Sequence, residues 1–167
     1  YVMCDVYDEF FAQTESEGRI WNGDSIQVAI DAQNDKANKY MPDDLEIGLA
    51  LTDYGVQTYV WHGVNDDAVG SRSPSYGNVV RSNEKSITRY CMRIPKEELG
   101  LKEFTENMQV GFNLVINDSD LNTREGYAEF TAGTASGKNP SLWYTFNLCR
   151  PETNVIRLDM TVFPKSF

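Results

Sequence analysis

Apolar and polar side chains alternate at period two along most of the chain, the pattern of strands with one buried face. Ser25 to Asp31 sets Ile26, Val28 and Ile30 on one side and Ser25, Gln27, Ala29 and Asp31 on the other. Glu46 to Thr52 repeats the pattern, with Ile47, Leu49 and Leu51 predicted to point to a core. Its other face carries Glu46, Gly48, Ala50 and Thr52, small residues that predict a shallow, accessible surface. Tyr1 to Tyr7, Gln57 to Trp61, Ser86 to Ile94, Gln109 to Asn117, Tyr127 to Thr131, Leu142 to Leu148 and Val155 to Phe163 are further strand candidates.

Turn residues separate these runs: Asn22-Gly23-Asp24, Tyr54-Gly55, a long Ser-, Asp- and Gly-rich loop from Gly63 to Asn78, and Gly133 to Pro140. One short helix is predicted from Pro95 to Leu101, because Pro95 suits a first turn, Glu97 and Glu98 complement its positive end, and Gly100 stops it. No internal repeat is present. Some nine short strands with turns between them predict an all-β fold, an antiparallel β-sandwich of jelly-roll type with very little helix.

A length of 167 residues suits one domain. No apolar run approaches the roughly 18 residues needed to span a bilayer as a helix, so no membrane span is expected. The 25 acidic and 15 basic residues give a net charge of −10, which argues against general binding to nucleic-acid phosphates. The basic side chains Arg72, Arg81, Lys85, Arg89, Arg93, Lys96 and Lys102 fall close together and give that stretch a local positive balance. A solvated face accounts for such a run.

Cys4, Cys91 and Cys149 show no zinc-type spacing; Cys4 and Cys91 lie in strand-like runs where they are either bridged or buried as free thiols. The chain opens at Tyr1 without an initiator Met or a signal peptide, so it reads as an excised or processed piece. His62 is the single histidine, and neither a Gly-x-Ser-x-Gly elbow, a phosphate loop nor a His-Glu-x-x-His pair accompanies it. The acidic turns Pro42-Asp43-Asp44 and Asn65-Asp66-Asp67 are explained by turn formation without a glycosidase pair.

Two oxygen-rich loops have the composition that calcium prefers, Asp31-Ala32-Gln33-Asn34-Asp35 and Asn117-Asp118-Ser119-Asp120. Structural calcium ligation through Asp118 and Asp120 therefore stands beside ordinary Asx turns as a reading of the second loop. Sugar rings present apolar C–H faces to aromatic side chains, and Trp21, Trp61 and Trp143 all lie near strand ends. Trp21 is the most suggestive, since it precedes Asn22-Gly23-Asp24 at the entry of the strand that carries Gln27.

Six strings, in order, carry a resemblance: Tyr1 to Val6, Ile20 to Asp31, Ile94 to Leu99, Gly111 to Asp120, Arg124 to Phe130 and Gly137 to Trp143. Together, over most of residues 1–148, they resemble the family 9 carbohydrate-binding modules. The resemblance implies a β-sandwich related to the DOMON group, and a non-catalytic, often calcium-stabilised appendage of a secreted polysaccharide-degrading enzyme. It also implies an extracellular or cell-surface location, with other domains of a parent protein as neighbours. In that family two tryptophans sandwich a terminal sugar. Trp21 matches one, while the other falls near Gly137, where no aromatic stands. Gln27 replaces an acidic residue, polar positions fall at Gly48, Ala50 and Val115, and Trp143 matches an aromatic of structural use.

The sequence thus predicts a module for a polysaccharide or oligosaccharide, with Trp21 as stacking platform and Gln27, Asp24 and Asn113 as hydroxyl contacts. Arg89 and Arg93, two apart on one strand face, are the candidates for an acidic ligand. The competing expectation is a structural or interaction sandwich that has lost sugar binding; a haem-binding relative using His62 and a Met is a third. Val155 to Phe163, where Ile156, Leu158, Met160 and Val162 alternate with polar residues, is expected to add a strand over an open sheet edge.

Overall fold

In the computed structural model, residues 1–64 and 68–148 are described. The predicted run Val155 to Phe163 and Cys149 lie outside the described residues. Among the described residues ten strands form, all but β5 and β6 where the period-two pattern places them: β1 (Val2–Tyr7), β2 (Ser25–Asp31), β3 (Asp44–Thr52), β4 (Gly55–His62), β5 (Gly70–Ser71), β6 (Gly77–Ser82), β7 (Ile87–Met92), β8 (Gln109–Asp118), β9 (Gly126–Glu129) and β10 (Tyr144–Asn147). The predicted helix is a single 3-10 turn, Lys96–Leu99, closed by Gly100 in the left-handed region at φ 64°.

All pairings are antiparallel, in two sheets: a small one ordered β1-β7-β6 and a large one ordered β10-β8-β2-β3-β4-β5. β8 is long enough to pair with β10 through Gln109 to Phe112 and with β9 through Val115 to Asp118, both on the side away from β2. The small sheet packs across the large one with β6 over β3 and β4. Ile26, Val28, Leu45, Ile47, Leu49 and Val60 meet Val79, Tyr90 and Met92 in one core. Each of these aliphatic side chains contributes about 1.5–3 kcal/mol when fully buried.

One departure from the sequence reading has a physical cause, and one alternative that the sequence left open is resolved. β6 falls partly in the stretch read as a loop, because in Gly77–Ser82 only Val79 is buried and adjacent Val80 is exposed, leaving too few positions for a visible alternation. Cys4 pairs across from Tyr90 and Cys91 from Met3, so the two cysteines point to opposite faces and both are free.

Candidate functional site

The outward face of the large sheet is built in rows fixed by strand register. One row runs Tyr59, Gly48, Gln27, Val115, Glu129 across β4, β3, β2, β8 and β9. Its neighbours are Gln57, Ala50, Ser25, Asn117, Tyr127 on one side and Glu46, Ala29, Asn113 on the other. This is the face predicted to lie open, and the structure covers much of it. Residues 13–22 form a strap ending in the 3-10 turn Glu17–Asn22, which packs on β2, β3 and β4. Ile20, fully buried, lies over Gly48, and the Trp61 ring fills the remaining space above that glycine. Trp61 Nε1 donates to Gly18 O at 2.9 Å. The small residues of β3 are therefore seats for the chain's own side chains.

Buried Gln13 anchors the strap: its Nε2 donates to Ile20 O at 2.9 Å and Asp24 O at 3.0 Å. A side chain at position 23 would push the Gln13 amide out of place and with it these two hydrogen bonds. Held in this way, Trp21 projects at the rim with 37% of its surface exposed. The Arg124 guanidinium lies over its ring, 4.9 Å from the centroid, and also 5.0 Å from the Tyr127 ring, itself 42% exposed. Arg124 is fixed by donation from Nη1 to Asn117 Oδ1 at 3.1 Å. Trp21, Arg124 and Tyr127 form an aromatic ledge beside the row that carries Gln27.

Beneath the neighbouring rows lie satisfied polar networks. Glu46, only 1% exposed, accepts from Lys138 Nζ at 2.6 and 2.7 Å and from the Tyr40 hydroxyl at 2.7 Å, with Gln27 Nε2 3.4 Å away. Asn113 donates to Glu129 Oε1 and Thr134 Oγ1, both at 2.8 Å, while its own oxygen accepts from the amides of Leu114 and Thr131. Gln27 and Asn113 are thus buried and committed to protein partners, and neither stands on the surface as a free hydroxyl contact.

Asp24 is buried at the entry of β2. It turns into an acidic cluster with Asp8 and Asp118, whose ligand atoms lie within 4.8 Å of one another. Its carboxylate accepts from the amides of Ala12 at 2.5 Å and Ser119 at 3.1 Å. Burial, reinforced by Asp8 and Asp118, pushes its pKa up to about 8. Asp8 and Asp118 are raised too, chiefly by burial, with Asp120 adding to both. Asp120 is exposed next to this trio and outside it. A second trio, Asp31, Asp35 and Asp43, gathers at the other end of β2, where buried oxygens of Asp43 and Asp44 have no hydrogen-bond partner. Hard oxygen donors with uncompensated charge are the donor set that calcium suits.

Arg89 lies on β7 of the small sheet and Arg93 beyond its end, so the two do not share one strand face as the sequence predicts. Arg89 is already engaged, its Nε and Nη2 each 2.7 Å from the Asp5 carboxylate. Arg93 is exposed just past β7, with its amide bonded to Tyr76 O. His62 packs against Tyr40, with ring centroids 4.7 Å apart and planes tilted by 37°, and has Nε2 2.8 Å from Met41 O, a packing role beside Glu46. Trp143 is buried with Nε1 bonded to Gly133 O, the structural use expected of it.

Sequence reasoning missed Asp8, Tyr40, Glu46 and Lys138. Lys138 carried a signal, for it adjoins Gly137, where the family resemblance places a second ring. Asp8 carried none, because its partners lie 16 and 110 positions away along the chain.

A two-sheet antiparallel sandwich with an aromatic ledge on one sheet defines the general class. The family model described as carbohydrate family 9 binding domain-like matches residues 1–150, and the chain belongs to that family. Among solved structures it is similar to a family 9 carbohydrate-binding module from Caldicellulosiruptor kristjanssonii in complex with glucose, at 19% identity and TM-score 0.63, covering 92% of this chain and 72% of that one. The cellotriose complex of a module from the same organism gives 16% identity and TM-score 0.61, covering 95% and 73%. No relative matches among curated protein sequences.

Proposed function

We propose that this chain is a non-catalytic saccharide-binding module with Trp21 as its stacking platform, an accessory of a secreted polysaccharide-degrading protein. The observation that carries this reading is the position of Trp21. A large ring, stapled by Gln13 and Gly23, stands exposed at the rim of the outward sheet face, with exposed Tyr127 beside it. Stacking on one such ring contributes about 1–3 kcal/mol where it has been measured on bases, which supports weak, surface-type binding. The ligands of the two similar structures, glucose and cellotriose, put a gluco-configured backbone first among the saccharides to try. Asp8, Asp24 and Asp118 would hold a structural calcium ion, which would supply the positive charge these carboxylates lack.

Affinity gel electrophoresis against a panel of soluble polysaccharides tests the reading. Retardation that disappears in Trp21→Ala supports it, whereas equal retardation of both proteins places the ligand elsewhere.

A second reading, a structural or docking sandwich, draws on a different observation: Trp61 fills the space over Gly48, and Lys138 caps Glu46. On that reading no glycan retards the folded protein at all.

A further inference from the structure

Among the described residues Arg81 and Arg124 are half-buried arginines without a carboxylate partner; the Arg81 guanidinium is taken up by Asn83 Oδ1, Thr88 Oγ1 and Asp8 O, and that of Arg124 is not. Arg19, Arg72 and Arg89 each meet a carboxylate, at 2.8, 2.8 and 2.7 Å. Arg124 meets none within ion-pair distance among the described residues, although the chain carries 25 acidic side chains. Its guanidinium instead lies over two exposed rings, at 4.9 Å from Trp21 and 5.0 Å from Tyr127. Stacking engages the faces of a guanidinium and leaves its edge to make in-plane hydrogen bonds. Only Nη1 is occupied on that edge, by Asn117 Oδ1 at 3.1 Å. The remaining N–H groups have no protein acceptor among the described residues.

A pre-positioned, unpaired fork on an aromatic ledge has the chemistry that recognises a planar anion. The net charge of −10 repels polyanions at long range, so any that is retained has to be held by a local cation. We infer that the saccharide taken at the Trp21 ledge carries an anionic group, a carboxylate or a sulfate, and that Arg124 is the residue that selects it. This rests on the saccharide-binding reading and narrows it: sugar C–H groups stack on the rings while the anionic substituent sits on the guanidinium edge. Arg89 is on the other sheet and Arg93 beyond the end of β7, and they do not share this ledge.

The test is affinity electrophoresis with three separate arms, a polyuronate, a sulfated glucan and a neutral glucan, using the full chain and the variants Arg124→Gln, Arg124→Lys and Trp21→Ala. The expected result is at least tenfold tighter retention by one anionic arm than by the neutral one, weakening as salt is raised. Which anionic arm is retained tells carboxylate from sulfate. Arg124→Gln abolishes that preference, and Arg124→Lys, which keeps the charge and loses the fork, retains only part of it. Near-ultraviolet circular dichroism checks that the variants fold; should Arg124→Gln not fold, a full preference in Arg124→Lys overturns the role of the fork. A preference that persists in folded Arg124→Gln overturns the inference. Retention of the neutral glucan alone, lost in Trp21→Ala, overturns it while leaving the saccharide-binding reading intact. No retention in any arm overturns both.

Discussion

Trp61 occupies the space that a side chain at Gly48 would need, so the indole of β4 and the bare backbone of β3 are complementary surfaces. The ring is held there by its hydrogen bond to Gly18 O and by Tyr59, whose ring centroid is 5.6 Å away. This contact closes the part of the sheet face where the family resemblance places a polar ligand contact. The strap residue Ile20 completes the closure.

Restoring a side chain at position 48 is therefore expected to fail on its own. Gly48→Ala should destabilise the fold by about 1–3 kcal/mol, the usual cost of overpacking. Trp61→Ala in the same chain should recover part of that loss, because the two sites are in contact and their effects are not additive. Urea unfolding of the two single variants and the double variant measures it. Strict additivity would mean that the ring does not press on the glycine.

Lys138 and Glu46 form an unequal pair. The carboxylate is buried, while half of the lysine side chain faces water. Removing Lys138 leaves a buried charge held by Tyr40 and, at 3.4 Å, by Gln27. Breaking a fully buried pair costs about 3–5 kcal/mol, and solvent around Lys138 reduces this, so Lys138→Met should cost roughly 1–3 kcal/mol. Adding Glu46→Gln, which removes the stranded charge, should return part of it. Equal stability of Lys138→Met and the parent in urea would count against the pair as a brace for the loop at residues 133–139.

The strands were legible because apolar residues alternate with polar or small ones at a period of two that no other element shares, and β2 shows this in full from Ser25 to Asp31 even though its outward face is buried as well. The site was legible only where one residue carries its own signal. Trp21 could be singled out by its ring and its turn context. Gln27 and Asn113 could be placed on the outward face, yet their burial comes from the strap and from the loop at Thr131 to Thr134, long-range coverings that leave no local trace. Asp24 was assigned to the sugar because it adjoins Trp21. Its actual partners, Asp8 and Asp118, are brought to it by the packing of β1 and β8 around β2's entry, and sheet topology is invisible to a pattern with period two. Arg124 and Tyr127 lay in a string that carried the family resemblance, but their meeting with Trp21 depends on β9 pairing with β8.

The two described thiols should differ in reactivity. Cys4 faces the core, and burial together with Asp5 raises its pKa to about 11. Because the thiolate is the reactive form, Cys4 should alkylate slowly at pH 8, accelerating with each rise in pH up to about 11. Cys91, one position away in register and on the outer face, should be modified first. Peptide mapping after a timed iodoacetamide pulse distinguishes them, and faster labelling of Cys4 at pH 8 would contradict its inward orientation.

Asp8, Asp24 and Asp118 place three raised, mutually repelling carboxylates where the strap, β1 and β8 converge. A divalent cation there would tie the strap that carries Trp21 to both sheets. Calcium in hundredfold excess over its dissociation constant should then stabilise the fold by about 2.7 kcal/mol, a rise of roughly 5–10 °C in Tm for a domain of this size. Chelation with EDTA should reverse it. Asp24→Asn should remove most of the calcium-dependent rise and should also lower the Tm of the metal-free protein, because its amide nitrogen cannot accept from one of the two backbone N–H groups, of Ala12 and Ser119, that now donate to the carboxylate. The measurement is differential scanning calorimetry of parent and variant with EDTA and with calcium. A rise that survives Asp24→Asn and vanishes in Asp43→Asn would assign the ion to the second trio, Asp31, Asp35 and Asp43, at the far end of β2. No rise in the parent would leave the strap anchored by Gln13 and the Asp24 hydrogen bonds alone.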